Sequence, residues 1–405
     1  MSSLPERTPS LSRTPSPPGI PSPSRTPSPP GTLSPSRTPL PPRTPSSPGT
    51  PPSDPSSPDA WRFEDTYGDH EWVELYRPQG YHPVNIGDTF HDGRYRAIRK
   101  LGEGSFSTVW LVSLYISDSK SSGPKYAAMK IISARTSAAS TEITILKHLS
   151  TSPEDPGSQH ILNLLDSFQH EGPNGMHLCL VFELMAAMEE QDLKQNEAKT
   201  AVPVNRVDGK ADKWAPLNVY LRETLHEYAK LGADLCIKLS DFGVAFFDSD
   251  PPASATTPIG LRAPELILKR DFNNKIDAWS FGCLMYEVLA SEPLFALMGT
   301  GSDEDIADDD HFVQLHEIIR PLPESIMRDW KGASKWYGPD GECLSPHGSS
   351  KPYSTLEERF AKRKHPDIGD DEAATICQII REALAYDPAE RPTVEDLLGH
   401  AWFSE

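Results

Sequence analysis

The sequence predicts an α+β chain of two lobes, a small β-rich one and then a helical one, behind a long disordered tail. Three observations carry that prediction. The first 58 residues hold 20 of the 41 prolines and no aromatic residue. Between Tyr95 and Phe182, apolar runs of strand length are interrupted by turns and one short helical pattern. Beyond residue 260 the patterning turns helical, and Lys275–Leu289 is apolar nearly all round (Ile276, Trp279, Phe281, Cys283, Leu284, Val288, Leu289).

The boundaries follow from composition. Residues 1–59 cannot bury enough apolar surface to offset the entropy of ordering, and so predict a disordered tail. An Arg-Thr-Pro unit recurs there at Arg7, Arg13, Arg25, Arg37 and Arg43, at spacings of 6, 12, 12 and 6. Ser-Pro and Thr-Pro steps favour extended polyproline conformations, which makes a semi-stiff spacer. Its hydroxyls, beside prolines and near arginines, also suit phosphorylation by proline-directed enzymes.

Residues 60–185 form the predicted β-rich lobe with its lead-in. Tyr95–Ile98 and Val109–Val112 read as two strands joined by a glycine turn, and Tyr126–Ile132 as a third. Thr141–Leu149 gives a short helix with Ile143, Leu146 and Leu149 on one face, and His177–Phe182 a buried strand. Residues 234–405 form the helical lobe, where a helix at Lys275–Leu289 marks the centre. Ala374–Leu384 and Val394–Leu398 add two more helices, and Gly299–Asp310 reads as a loop with a burst of carboxylates. Residues 186–233 match neither pattern.

Charge and cysteine usage exclude several function classes. The net charge is −19; the tail has five arginines against Glu6 and Asp54, leaving −22 for residues 59–405. So acidic a globular part argues against direct nucleic-acid binding and favours basic protein partners, although solubility alone also accounts for it. Cys179, Cys236, Cys283, Cys343 and Cys377 are scattered without CxxC spacing, which predicts free thiols in a reducing compartment. No run approaches membrane-spanning length and no signal-peptide core stands at the N-terminus, so an intracellular soluble protein is expected.

The chemistry-bearing motifs come in a fixed order. Gly102-Glu103-Gly104-Ser105-Phe106-Ser107 is a glycine turn whose backbone has room to pack over a triphosphate. Lys130 follows 26 residues after Gly104, its stem set in a buried strand, and Glu142 on the next helix is placed to hold it. Asp241, at the end of Cys236-Ile-Lys-Leu and turned by Gly243, is placed to hold a magnesium ion that bridges phosphates. Ala263-Pro264-Glu265 comes next, and Glu265 is expected to pair with Arg391 as scaffold. Each motif alone is weak; the order is what gives them weight.

Together these residues resemble a eukaryotic-type protein kinase. Finer features resemble the SR-protein kinase family in a fungal-looking version: the lead-in Gly80-Tyr-His-Pro-Val-Asn-Ile-Gly87-Asp88, the loop Leu101–Trp110 with Ser107 in place of a third glycine, Leu261–Glu265, and Leu322–Trp330. The resemblance implies a bilobal kinase fold that uses ATP and Mg2+. It implies ATP contacts from Leu101, Gly102, Glu103, Gly104, Ser105, Phe106, Ser107, Thr108, Val109, Lys130 and Glu142, with Phe182 as gatekeeper and Glu183 to Met185 as the adenine-contacting hinge. Asp241 would be the metal ligand. It further implies phosphorylation of Ser or Thr in basic, Arg/Ser-rich proteins by a monomer found in cytoplasm and nucleus.

One departure stands out. The family places two helices and a His-x-Asp-x-Lys-x-x-Asn loop after the hinge, and no such loop lies between Met185 and Asp241. Asp192-Leu-Lys194-Gln-Asn196 resembles its later half with one residue missing. As a remnant, it would make Asp192 the base, Lys194 a phosphate contact and Asn196 a second metal ligand; as a charged surface stretch it does none of this, and the lack of supporting helices favours that. Leu217, Leu221, Leu225 and Tyr228 recur at helical spacing, with Gly232 as terminator, and predict a helix that stands in for the one before the loop. An omitted exon in the gene model explains the gap as well as true degeneration does. The competing function is therefore a non-catalytic pseudokinase or binding scaffold.

Overall fold

The computed structural model describes residues 61–114, 125–152, 154–185, 201–222, 232, 235–297, 304–338, 341–344 and 352–403. The tail expected over 1–59, the Asp192–Asn196 stretch and the Leu225–Tyr228 half of the predicted helix lie outside those residues.

Six antiparallel strands make the N-terminal sheet: β1 (Thr89–Phe90), β2 (Tyr95–Gly104), β3 (Ser107–Leu114), β4 (Tyr126–Ile132), β5 (Leu164–Gly172) and β6 (Gly175–Phe182), in the order β1-β2-β3-β4-β6-β5. The strands alternate faces with a period of two. In β4 and β6, Ala127, Met129, Ile131, Cys179 and Val181 enter one cluster with Trp110 and Tyr95. Ile132, Leu178, Leu180 and Phe182 enter another on the opposite face, against the helix α2 (Glu142–Leu149) that follows α1 (Ala134–Ser137). The central strands β4 and β6 are thus buried on both sides.

What covers the first face was not predicted. Two short strands, β7 (Ala201–Pro203) and β8 (Asn218–Tyr220), form a hairpin that docks on the lead-in. Val219 and Val202 pack with Phe63, Val73, Tyr76 and Tyr81, and the Tyr220 ring meets Trp110 edge-on at 5.7 Å. Arg62 anchors the lead-in with ion pairs to Glu74 at 2.8 Å and to Asp212 of the hairpin at 3.4 Å, all three buried. The helix expected from Leu217 is therefore a strand where it is described: Pro216 precedes it, Leu217 is 78% exposed, and β-branched Val219 pairs with Val202 across the hairpin.

The C-terminal lobe is helical: α3 (Pro264–Ile267), α4 (Lys275–Ala290), α5 (Glu304–Gln314), α6 (Glu324–Asp329), α7 (Ala333–Trp336), α8 (Leu356–Arg363), α9 (Asp370–Ala383) and α10 (Val394–Leu398). One core cluster joins α4, α5, α8 and α9. At Gly282 a Cβ would meet Ala383 and Leu384 at 3.0–3.1 Å, so glycine lets α4 and α9 approach closely. Glu265 and Arg391 form the expected ion pair, bidentate at 2.6 and 2.8 Å and buried. The helix α4 is not buried all round, however: Leu284 and Val288 are 48% and 68% exposed on one stripe. The carboxylate burst is also not a loop from Glu304 on but the helix α5, whose Asp309 accepts from Trp330 Nε1 at 2.6 Å and whose Asp310 accepts from Tyr353 at 3.2 Å.

Candidate active site

The site starts with strand pairing. Lys130 lies opposite Val109 of β3 and Leu180 of β6, on the face that turns toward α2. That placement brings its Nζ within 2.8 Å of both carboxylate oxygens of Glu142, a residue buried at the start of α2. The same Nζ donates to Asp241 Oδ1 at 2.7 Å. Three residues read as separate motifs thus converge on one ammonium.

Asp241 is held in an unusual backbone state, with φ +63°. A non-glycine residue in this left-handed region costs roughly 1–2 kcal/mol, and such strain collects at functional sites. Burial raises the Asp241 carboxyl, but the hydrogen bond and charge of Lys130 outweigh it and hold the pKa below the ordinary carboxylate value. Its side chain is 77% exposed, so an ionised oxygen faces solvent. Next to it Gly243 has no side chain; a Cβ would lie 3.3–3.6 Å from Asp241, Glu142 and Lys130. Phe242 packs partly buried against the Leu146 and Phe182 cluster, which fixes the turn on the N-terminal lobe.

The glycine turn spans the end of β2 and the start of β3, with Gly104 opposite Ser107. Phe106 stands exposed at its tip, and Gly104 and Ser105 are exposed beside it. Leu101, Gly102, Glu103 and Val109 are half-buried. Ser107 and Thr108 are buried, and the Thr108 hydroxyl accepts from Trp110 Nε1 at 3.0 Å, so those two offer the cleft backbone rather than side chain. In the hinge, Phe182 is buried and Met185 is exposed. Glu183 binds Lys238 at 2.6 Å and the Asn163 amide at 2.8 Å, which ties the hinge to the segment leading into Asp241.

An ammonium fixed by a buried carboxylate, a mostly exposed ionised carboxylate and a glycine-lined turn fit a magnesium-bound triphosphate. Among the described residues no cluster of three or more His, Cys, Asp or Glu stands ready to hold a metal by itself, so Asp241 would share its ion with phosphate oxygens. Asp192, the sequence candidate for the base, lies outside the described residues. Sequence reasoning missed Lys238, whose contact with the hinge carboxylate has no motif to signal it.

Comparison with known proteins agrees with this geometry. Residues 216–403 match the protein kinase domain profile. The chain is 25% identical over 405 residues to the serine/threonine-protein kinase SRPK of Physarum polycephalum, an alignment that covers 83% of this chain and 91% of that one. It is 26% identical over 359 residues to the human dual specificity protein kinase CLK1 (80% and 69%) and 42% identical over 122 residues to the serine/threonine-protein kinase SKY1 of Saccharomyces cerevisiae (28% and 16%). A crystal structure of a kinase domain superposes with a TM-score of 0.50 at 21% identity, covering 80% of this chain and 98% of that one, which supports the fold alone. Residues 216–403 thus carry a protein kinase domain, and over most of its length the chain is similar to kinases of SRPK and CLK type, of serine/threonine or dual specificity.

Proposed function

We propose that the protein transfers the γ-phosphate of ATP to Ser or Thr of arginine-rich, RS-type proteins, as an SRPK-like kinase. The convergence of Lys130 on Glu142 and Asp241 carries the reading. ATP with Mg2+ supplies the phosphoryl group when bound. Glu142 orients Lys130, whose ammonium would neutralise phosphate charge; Asp241 would hold the metal; the backbone of Leu101–Val109 would cover the phosphates; and Glu183 to Met185 would meet the base. As the base of a loop remnant, Asp192, which lies outside the described residues, would take the proton of the substrate hydroxyl. The −22 charge of residues 59–405 suits basic partners. In this reading the protein acts as a monomer in cytoplasm and nucleus, without direct nucleic-acid contact.

A second reading, a nucleotide-holding scaffold without phosphoryl transfer, draws on a specific observation. The stripe of Leu284 and Val288 on α4 is open among the described residues, and the described part of the post-hinge segment packs on the N-terminal lobe instead. Incorporation of labelled phosphate into an Arg-Ser peptide separates the two. The kinase reading expects incorporation that Asp192→Asn abolishes; Mg-ATP binding without incorporation favours the scaffold.

A further inference from the structure

Two segments that take no part in the Lys130 cluster contact the glycine turn. Lys100, next to the turn in β2, is fully buried and ion-paired with buried Glu71 of the lead-in and with Glu103 of the turn at 3.0 Å. Tyr76 donates to the same Glu71. The Tyr81 hydroxyl donates to the Gly104 carbonyl at 2.6 Å, a direct bond from the lead-in to the turn's exposed end. The hairpin then locks the lead-in: Arg222 donates its amide to Asp69 O at 2.9 Å, and its guanidinium pairs with the Asp69 carboxylate at 2.8 Å. The stem of Arg222 lies along the turn itself, where a Cβ on Gly102 would sit 3.6 Å from its Cδ.

Glycines make such a turn adaptable and entropically expensive to order. A ligand that needs it in one position bears that ordering cost unless other contacts have already met it. We propose that the lead-in and the 201–222 hairpin form a brace that pre-orders the glycine turn, so that Tyr81 and Arg222 are positioning residues for the nucleotide although they stand outside the Lys130 cluster. The inference rests on the nucleotide-site reading, and it gives the segment between hinge and Asp241 a task where a catalytic loop was expected.

Hydrogen exchange of the turn amides in the full chain, without nucleotide, tests the brace directly. Tyr81→Phe removes only the hydroxyl, and Arg222→Ala removes the strap at a half-exposed position, so both are expected to fold. The brace predicts exchange at Gly102–Phe106 about tenfold faster in each variant, the factor for one lost hydrogen bond, with α4 and α9 unchanged. Mg-ATP affinity should fall several-fold in parallel. Unaltered exchange in both variants overturns the proposal. Faster exchange in the variants of a protein that binds no Mg-ATP supports the brace and overturns the nucleotide-site reading instead. If Arg222→Ala unfolds, Tyr81→Phe alone decides.

Discussion

Glu142 is buried, and its carboxylate accepts two hydrogen bonds from Lys130. Lys130→Met leaves that carboxylate without its cation, so stability should drop by about 1–3 kcal/mol, a loss that chemical denaturation would measure. A cluster of histidines, two buried and one half-buried, makes a second prediction. His82, His170 and His177 pack ring against ring, with centroids 4.6 and 5.0 Å from His82. Burial first, and then the neighbouring His177 and His170, push His82 down to about 3; His170 and His177 are also lowered, chiefly by burial. The unfolded chain binds protons at these sites that the folded chain refuses. Stability is therefore intact above pH 6.5 and falls as pH drops toward 3, by up to about 1.4 kcal/mol per pH unit for each excluded proton. Melts between pH 7 and 5 check the slope, and the His82 ring should show no NMR titration over that range.

The helices α3 and α4 depend on one arginine. Arg391 is buried, grips Glu265 with two bonds, donates to Ala385 O at 2.8 Å and lies over the Trp279 ring. Arg391→Met strands the Glu265 charge and should cost about 3–5 kcal/mol, seen as a lower urea midpoint at an unchanged slope. This pair and the Lys130 cluster were legible because each sits in a motif whose order along the chain fixes its partner. The hairpin was not. Its strands are three residues each, too short for any periodicity, and their core partners Phe63 and Tyr76 lie more than a hundred residues away in sequence. Leu217 and Leu221 mimicked a helical stripe by spacing alone. The aspartates of α5 misled for the opposite reason: poor helix formers by propensity, they are held by Trp330 and Tyr353, which local pattern does not reveal.

Across the entire chain, two lobes meet at the Lys130–Asp241 contact, and the protein bears a strong negative field. If that field attracts Arg-rich partners, the affinity for an Arg-Ser peptide should fall steeply between low and physiological salt, as titration calorimetry at several ionic strengths would record. Asp309 and Asp310 contribute less to docking than their number suggests, since both are engaged inside the lobe. Apart from substrate choice, the proposed function requires that the cleft under the glycine turn take a magnesium nucleotide through Lys130 and Asp241. Asp241→Asn is the cleanest probe, because its carboxylate is mostly exposed and its loss should leave the apo melting temperature nearly unchanged. Thermal shift with and without Mg-ATP should show stabilisation of the wild-type chain that requires Mg2+ and disappears in Asp241→Asn. Equal stabilisation of both proteins, or none in the wild type, would contradict the account.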